Sequence, residues 1–262
     1  MASLLATECT HPERQAQTNV RSVDVARAID RGLSYLRSDR SDPSALVVLD
    51  YLQRKYALGS DLSYENMAHG HGEALGTWAR FVGGDPPVNE DMLGSLQGRP
   101  GTETFVNHAL YCDRFPLPSD FGVLLRRYVM DGAYEGYEQT HASLTLKLIR
   151  DNGCRLGMDE ADLRGIVWRG LLDVLDGDGE APLSQAARRD VRYEALAFLQ
   201  DFAGNRDVEE ARFSNVLSEQ RADGGWGPEV DRPSKPHPTV LAVWALLAHA
   251  HSNTPEVPFA RR

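Results

Sequence analysis

From Val23 onward the apolar residues of this chain recur at three- and four-residue spacings, and no stretch alternates apolar and polar for long enough to read as a strand. That period predicts helices. Val25, Ala28, Ile29, Leu33 and Leu36 share one face of the first, behind Ser22 as N-cap. The run Leu46, Val47, Leu49, Tyr51 and Leu52 after Asp42-Pro43 contains β-branched residues, but its length and spacing favour helix too, ending near Gly59. Further helices are predicted over 64–82, 89–96, 102–114, 120–130, 137–151, 159–175, 183–202, 208–221 and 236–251. Turn and stop signals separate them, among them Gly83-Gly-Asp-Pro-Pro, Phe115-Pro-Leu-Pro, Asn152-Gly and Asp223-Gly-Gly. About eleven helices with short connections predict a single all-α domain over residues 21–255, behind a flexible polar tail over 1–20.

The 262 residues suffice to bury a large core. A formal net charge of -10 argues against a nucleic-acid partner and against an anionic membrane surface, since either would need a basic stripe. No run of apolar residues is long enough for membrane insertion, and the N-terminus lacks the basic region of a secretory signal. Cys9, Cys112 and Cys154 give no disulfide framework, so a reducing cytoplasm is the expected compartment. Self-association as a homo-oligomer is left open.

Helices beginning near Ser44, His71, His108, His141, Arg192 and His237 are richer in aliphatic and aromatic residues than those beginning at Val23, Asp120, Asp159 and Val208. Inner helices of a ring should be apolar all round and outer ones amphipathic, so the alternation predicts stacked helix pairs rather than a flat bundle. The stretch Gln220-x-x-Asp223-Gly224-x-Trp226 resembles the repeat signature of the terpene cyclase and protein prenyltransferase superfamily. The following Asp231-Arg-Pro-Ser-Lys-Pro-His237 is similar to a prenyltransferase segment whose His is a zinc ligand at an inner-helix start. The resemblance covers about thirty residues. It implies an α/α toroid of about five to six helix pairs around an apolar cavity. It does not imply a reaction, because the Asp-x-Asp-Asp and Asp-Asp-x-x-Asp motifs and the Asp-x-Cys zinc pair are missing.

In such a ring His71, His108, His141 and His237 would stand at equivalent inner-helix starts and converge on one mouth of the cavity. This is an arrangement that could hold zinc, iron or copper, with His69 and Cys112 as substitute ligands. Glu73, Glu138 and Glu194 lie close by in sequence, and with Tyr137 and Tyr193 they are the candidates for moving a proton. The favoured function is therefore an enzyme acting on a small, largely apolar molecule, isoprenoid- or polyketide-like, beside a His-held metal. Two alternatives stand beside it. One is a metal-free cyclase or lyase using cavity acids and aromatics. The other is a non-catalytic binding protein, which would fill its ring with bulky side chains.

Overall fold

The computed structural model describes residues 22–68, 72–131, 136–177, 185–202, 208–228 and 232–261, without the side chains of 72–74 and 185–188. Among the described residues there are ten α-helices, three 3-10 segments and no strand. The helices are α1 (Ser22–Ser38), α2 (Pro43–Tyr56), α3 (Tyr64–Met67), α4 (Thr104–Leu110) and α5 (Phe121–Asp131). They continue as α6 (Tyr137–Asn152), α7 (Glu160–Asp176), α8 (Gln185–Asp201), α9 (Glu210–Ser218) and α10 (Pro236–Ala250). Local chemistry sets most ends. Asp42 caps α2 ahead of Pro43, Asp159 caps α7, and Gly153 ends α6 in the left-handed region at φ 69°.

Two predicted helices give way to 3-10 segments, and those predicted over 102–114 and 208–221 shorten to α4 and α9. The helix predicted over 64–82 stops at Met67 and resumes as a 3-10 segment, Gly72–Val82, in which Gly76 at φ 51° and ψ -126° cannot continue a helix. The helix predicted over 89–96 shrinks to the 3-10 turn Glu90–Leu93, capped by Asn89 and ended by Gly94 at φ 88°.

Helix α10 is buried on every side from Val240 to Ala248, and it packs against α8, α1, α2 and α9. Helix α6 packs against α4, α5, α7 and α8, while α1 and α7 bury only a stripe. The turn after α9 joins the two ends of the chain. Gln220 Nε2 donates to the carbonyls of Ala28 in α1 and Gly224, both at 2.8 Å. Arg31 donates to the carbonyls of Arg221 and Ala222 at 2.5 and 3.0 Å. Trp226 is fully buried, its Nε1 donating to the Val216 carbonyl at 2.7 Å and its N–H to Thr239 at 2.9 Å. Gly32 allows this approach, because a Cβ there would meet Val243 at 2.5 Å and Trp226 at 2.9 Å.

Residues after α10 cross the opposite ends of the buried helices. Arg54 donates to the carbonyls of Pro258 and Phe259, and Arg261 grips the Asp50 carboxylate through two nitrogens at 2.6 and 3.1 Å. Lys147 holds Asp151 and the Val257 carbonyl, and Asp151 accepts the Phe259 N–H at 2.9 Å. Phe259 is thereby set among Tyr51, Phe81, Phe202 and Trp244. Nearby, Asp201 accepts from Tyr51, Trp244 and Lys55.

Cys112 and Cys154 are joined as a disulfide, which corrects the expectation that the cysteines form none and removes the premise of the reducing compartment. The bond ties the turn after α4 to the residue just past the Gly153 cap of α6. No helix among the described residues is long and apolar enough to cross a membrane.

Replacing Trp226 with Ala should lower the unfolding free energy by about 3–5 kcal/mol in denaturant melts, the range for a fully buried aromatic. Gln220→Ala should cost about 1–3 kcal/mol by removing two side-chain hydrogen bonds, to the Ala28 and Gly224 carbonyls. The disulfide closes a loop with a sequence separation of 42 residues, so its removal by Cys154→Ser should lower stability by about 4 kcal/mol. Iodoacetamide labelling of the denatured, non-reduced protein should modify Cys9 alone.

Candidate active site

The N-terminal ends of α2, α4, α6 and α10 meet around the mouth of a cavity of about 740 Å³. Asp42 and Ser44 come from the first turn of α2, Thr102 and Glu103 from the approach to α4, Tyr137 and His141 from α6, and His237 from α10. Glu194 is supplied from farther along α8. One or two turns deeper the lining becomes apolar, with Val47 and Val48 on α2, Leu144 on α6, Phe198 on α8 and Trp244 on α10. Trp78, Phe81 and Phe259 complete that end. The volume lies within the roughly 300–1,000 Å³ of small-molecule sites.

The polar end is a connected chain. Ser44 Oγ donates to Asp42 Oδ1 at 2.6 Å, the same oxygen that caps α2. With its proton committed there, Ser44 is left to accept from His237 Nδ1 at 3.1 Å. The other ring nitrogen, Nε2, faces Asp190 Oδ2 at 3.5 Å, and the Tyr137 hydroxyl donates to that same oxygen at 3.2 Å. A lone pair and a carboxylate cannot face each other favourably, so a proton must lie between His237 and Asp190. Burial pushes the Asp190 carboxyl up, opposed by the nearby His237 and by the Tyr137 hydrogen bond, and helped by Asp42.

Glu194 lies one turn after Asp190 on α8 and is only 8% exposed. Burial raises its pKa to about 7, against the opposing charge of His237, with Asp190 adding to the rise and a Thr140 hydrogen bond opposing it. His141 is moved the other way, down to about 4, first by burial and then by His237, against a hydrogen bond to the Thr102 backbone. Its exposed surface faces the cavity, and its Nδ1 has no hydrogen-bond partner among the described residues.

Of the residues expected at this mouth, His141, His237, Tyr137 and Glu194 are there. His108 is not brought to it: the ring sits one turn into α4, with Nε2 at 3.0 Å from the Gly94 carbonyl and Phe121 alongside. Glu138 is buried beside its own helix start, accepting the Gly136 N–H at 3.2 Å. Tyr193 points to the opposite side of α8, where its hydroxyl donates to Glu219 at 2.5 Å and Arg192 reaches the same carboxylate. Cys112 has no free thiol for a metal because its sulfur is bonded to Cys154. His69, His71 and the side chain of Glu73 lie outside the described residues.

Among the described residues no group of three His, Cys, Asp or Glu side chains is placed to hold a metal ion. Of the expected ligands among the described residues, His141 and His237 face the cavity, and His237 meets Ser44 through Nδ1 and Asp190 through Nε2. Sequence reasoning missed Asp190, Ser44 and Asp42. The spacing of Asp190 and Glu194 by four residues was the available signal, since it puts both carboxyls on one helix face. No family model, curated protein or solved structure matches this chain.

Glu194 binds its proton more tightly folded than unfolded, so the stability it contributes is complete below its ordinary pKa of 4.5 and is lost as the pH rises to about 7. Glu194→Gln should therefore match the parent protein near pH 4 and exceed it above pH 7 by about 3 kcal/mol. Denaturant melts across that range check this, and His141 is common to both proteins and cancels.

Proposed function

We propose that the chain is a proton-transfer enzyme, a lyase or cyclase, acting on a small, largely apolar molecule held in this cavity. The observation that carries the reading is the placement of two proton-handling groups on one face of α8. Glu194 is a buried carboxyl poised near neutrality, and Asp190 shares a proton with His237. One can give a proton while the other takes one, and the aromatic end holds the reacting molecule away from water. A carboxylic acid with a pKa near 7 is too weak to protonate an isolated alkene. It suits a carbonyl, an epoxide or hydroxyl oxygen, or a carbon next to a carbonyl.

We further read the helices as a closed α/α ring. In support, α2 packs against the Gly72–Val82 segment, that segment against α4, and α4 against α6. The series continues through α6 on α8 and α8 on α10, and α10 returns to α2. The outer helices α1, α5, α7 and α9 pack outside that series. The open cavity favours the catalytic readings over a binding protein with a filled ring.

The test is a screen of small apolar ketones and epoxides in deuterium oxide, with turnover and deuterium incorporation followed by mass spectrometry. Activity should show a pH limb near 7, fall by about 10²–10⁴ in Glu194→Gln and Asp190→Asn, and persist in EDTA. Full activity in Glu194→Gln would sink the reading. Loss in EDTA from protein carrying stoichiometric zinc, iron or copper would return the metal enzyme.

A further inference from the structure

The buried carboxylate Glu138 accepts a backbone N–H, from Gly136, and three other inward-facing carboxylates have a cationic side chain against them. Asp50 has Arg54 and Arg261, Asp151 has Lys147, and Asp201 has Lys55. This is what burial demands, since an unpaired buried charge is expensive. Glu194 and Asp190 break the pattern. Neither has a Lys or Arg partner among the described residues, and no Lys or Arg is among those that line the cavity. Instead Asp42 and Glu103 add two more carboxyls to the same mouth.

The rest of the lining suits a cation as well. Trp78, Tyr137, Phe198, Trp244 and Phe259 line the space, and aromatic faces attract an ammonium. Pro236 and Pro238 flank His237 in the first turn of α10, which removes two of the backbone N–H donors a helix start would present to a phosphate. At α2 the equivalent donors, the N–H groups of Ser44 and Ala45, are taken by Asp42.

We propose that the ligand of this cavity is an amine: an apolar molecule with one ammonium group, seated with its nitrogen at Glu194 and its hydrocarbon against the aromatic end. A phosphate or carboxylate at the mouth would meet like charge. The inference rests on Glu194 and the His237–Asp190 pair being the working end of the cavity, and it sharpens their roles. An ammonium beside Glu194 holds that carboxyl ionised, which makes it the base and leaves the proton between His237 and Asp190 as the acid. The groups facing Glu194 are Asp190 on its own helix, His237 from α10, Tyr137 and His141 from α6, Asp42 from α2 and Glu103 from the approach to α4. All are carboxyls, imidazoles or a phenol, so none supplies the missing permanent positive charge.

Isothermal titration of the full chain with 4-phenylbutylamine, 4-phenylbutan-1-ol and 4-phenylbutanoate tests this, because the three share a skeleton and differ in charge. The amine should bind at least tenfold more tightly than the alcohol at pH 7.5, and the carboxylate should bind more weakly than either. Glu194→Gln should erase the preference of amine over alcohol while leaving the alcohol affinity within about twofold. At pH 6.5, titrations in buffers of different ionisation enthalpy should show proton release on binding the amine and none with the alcohol. Equal binding of amine and alcohol, tighter binding of the carboxylate, an undiminished preference in Glu194→Gln, or no binding of any of the three would overturn the proposal. Each result concerns binding and leaves the proton-transfer reading to be decided by turnover.

Discussion

The hydrogen bond from Gln220 to the Ala28 carbonyl, across a sequence separation of 192, is the contact on which the rest of this structure depends. It carries the turn after α9 onto the back of α1, and Arg31 adds bonds from α1 to the carbonyls of Arg221 and Ala222 in that turn. Trp226 then fills the space between α1, α9 and α10, and Thr239 accepts its backbone N–H from the first turn of α10. The position of His237, two residues earlier, follows from that anchoring. A side chain at the cavity mouth is thus fixed by contacts that take no part in its chemistry.

The two ends of the buried helices are treated in opposite ways. At their C-terminal ends, Arg54, Lys147 and Arg261 bind carboxylates and the carbonyls of the final segment, and this pins Phe259 inside. Cations there also complement the negative ends of the helix dipoles. Toward the N-terminal ends, the charged groups among the described residues lining the cavity are carboxyls and imidazoles, with no Lys or Arg. The closed end spends its cations on structure, while the open end keeps acids whose partners are only other titratable groups.

Much of the fold was legible because helix period and turn residues act locally. Asp42, Asp159, Gly153 and the Asp223-Gly-Gly turn mark real ends, and the histidines at the starts of α6 and α10 do face one space. The failures are also physical. His108 is expected at the mouth as a helix-start residue, but it sits a turn inside α4 and its hydrogen bond goes to Gly94. In α8 the expected proton carriers are the neighbours Tyr193 and Glu194, yet each residue advances a helix by about 100°, so the two face different sides. The face that meets His237 belongs to Asp190 and Glu194. The disulfide escaped because Cys112 and Cys154 are brought together only by the packing of α4 on α6, which no local spacing reports.

A buried acid with neither a cation nor backbone donors against it costs least when it holds a proton at rest. Glu194 avoids the larger cost of an unpaired buried charge by titrating near neutrality, at the expense of stability as the pH rises. His141 avoids it in the opposite sense, by remaining neutral down to about pH 4. Between them His237 and Asp190 need only one proton for both to be satisfied. These four groups therefore carry little net charge among them, beside the carboxyls of Asp42 and Glu103, while retaining several sites where a proton can be added or removed. Neutralising Glu194 alone would remove its pH-dependent cost, whereas removing His237 or Asp190 would leave the other without its partner.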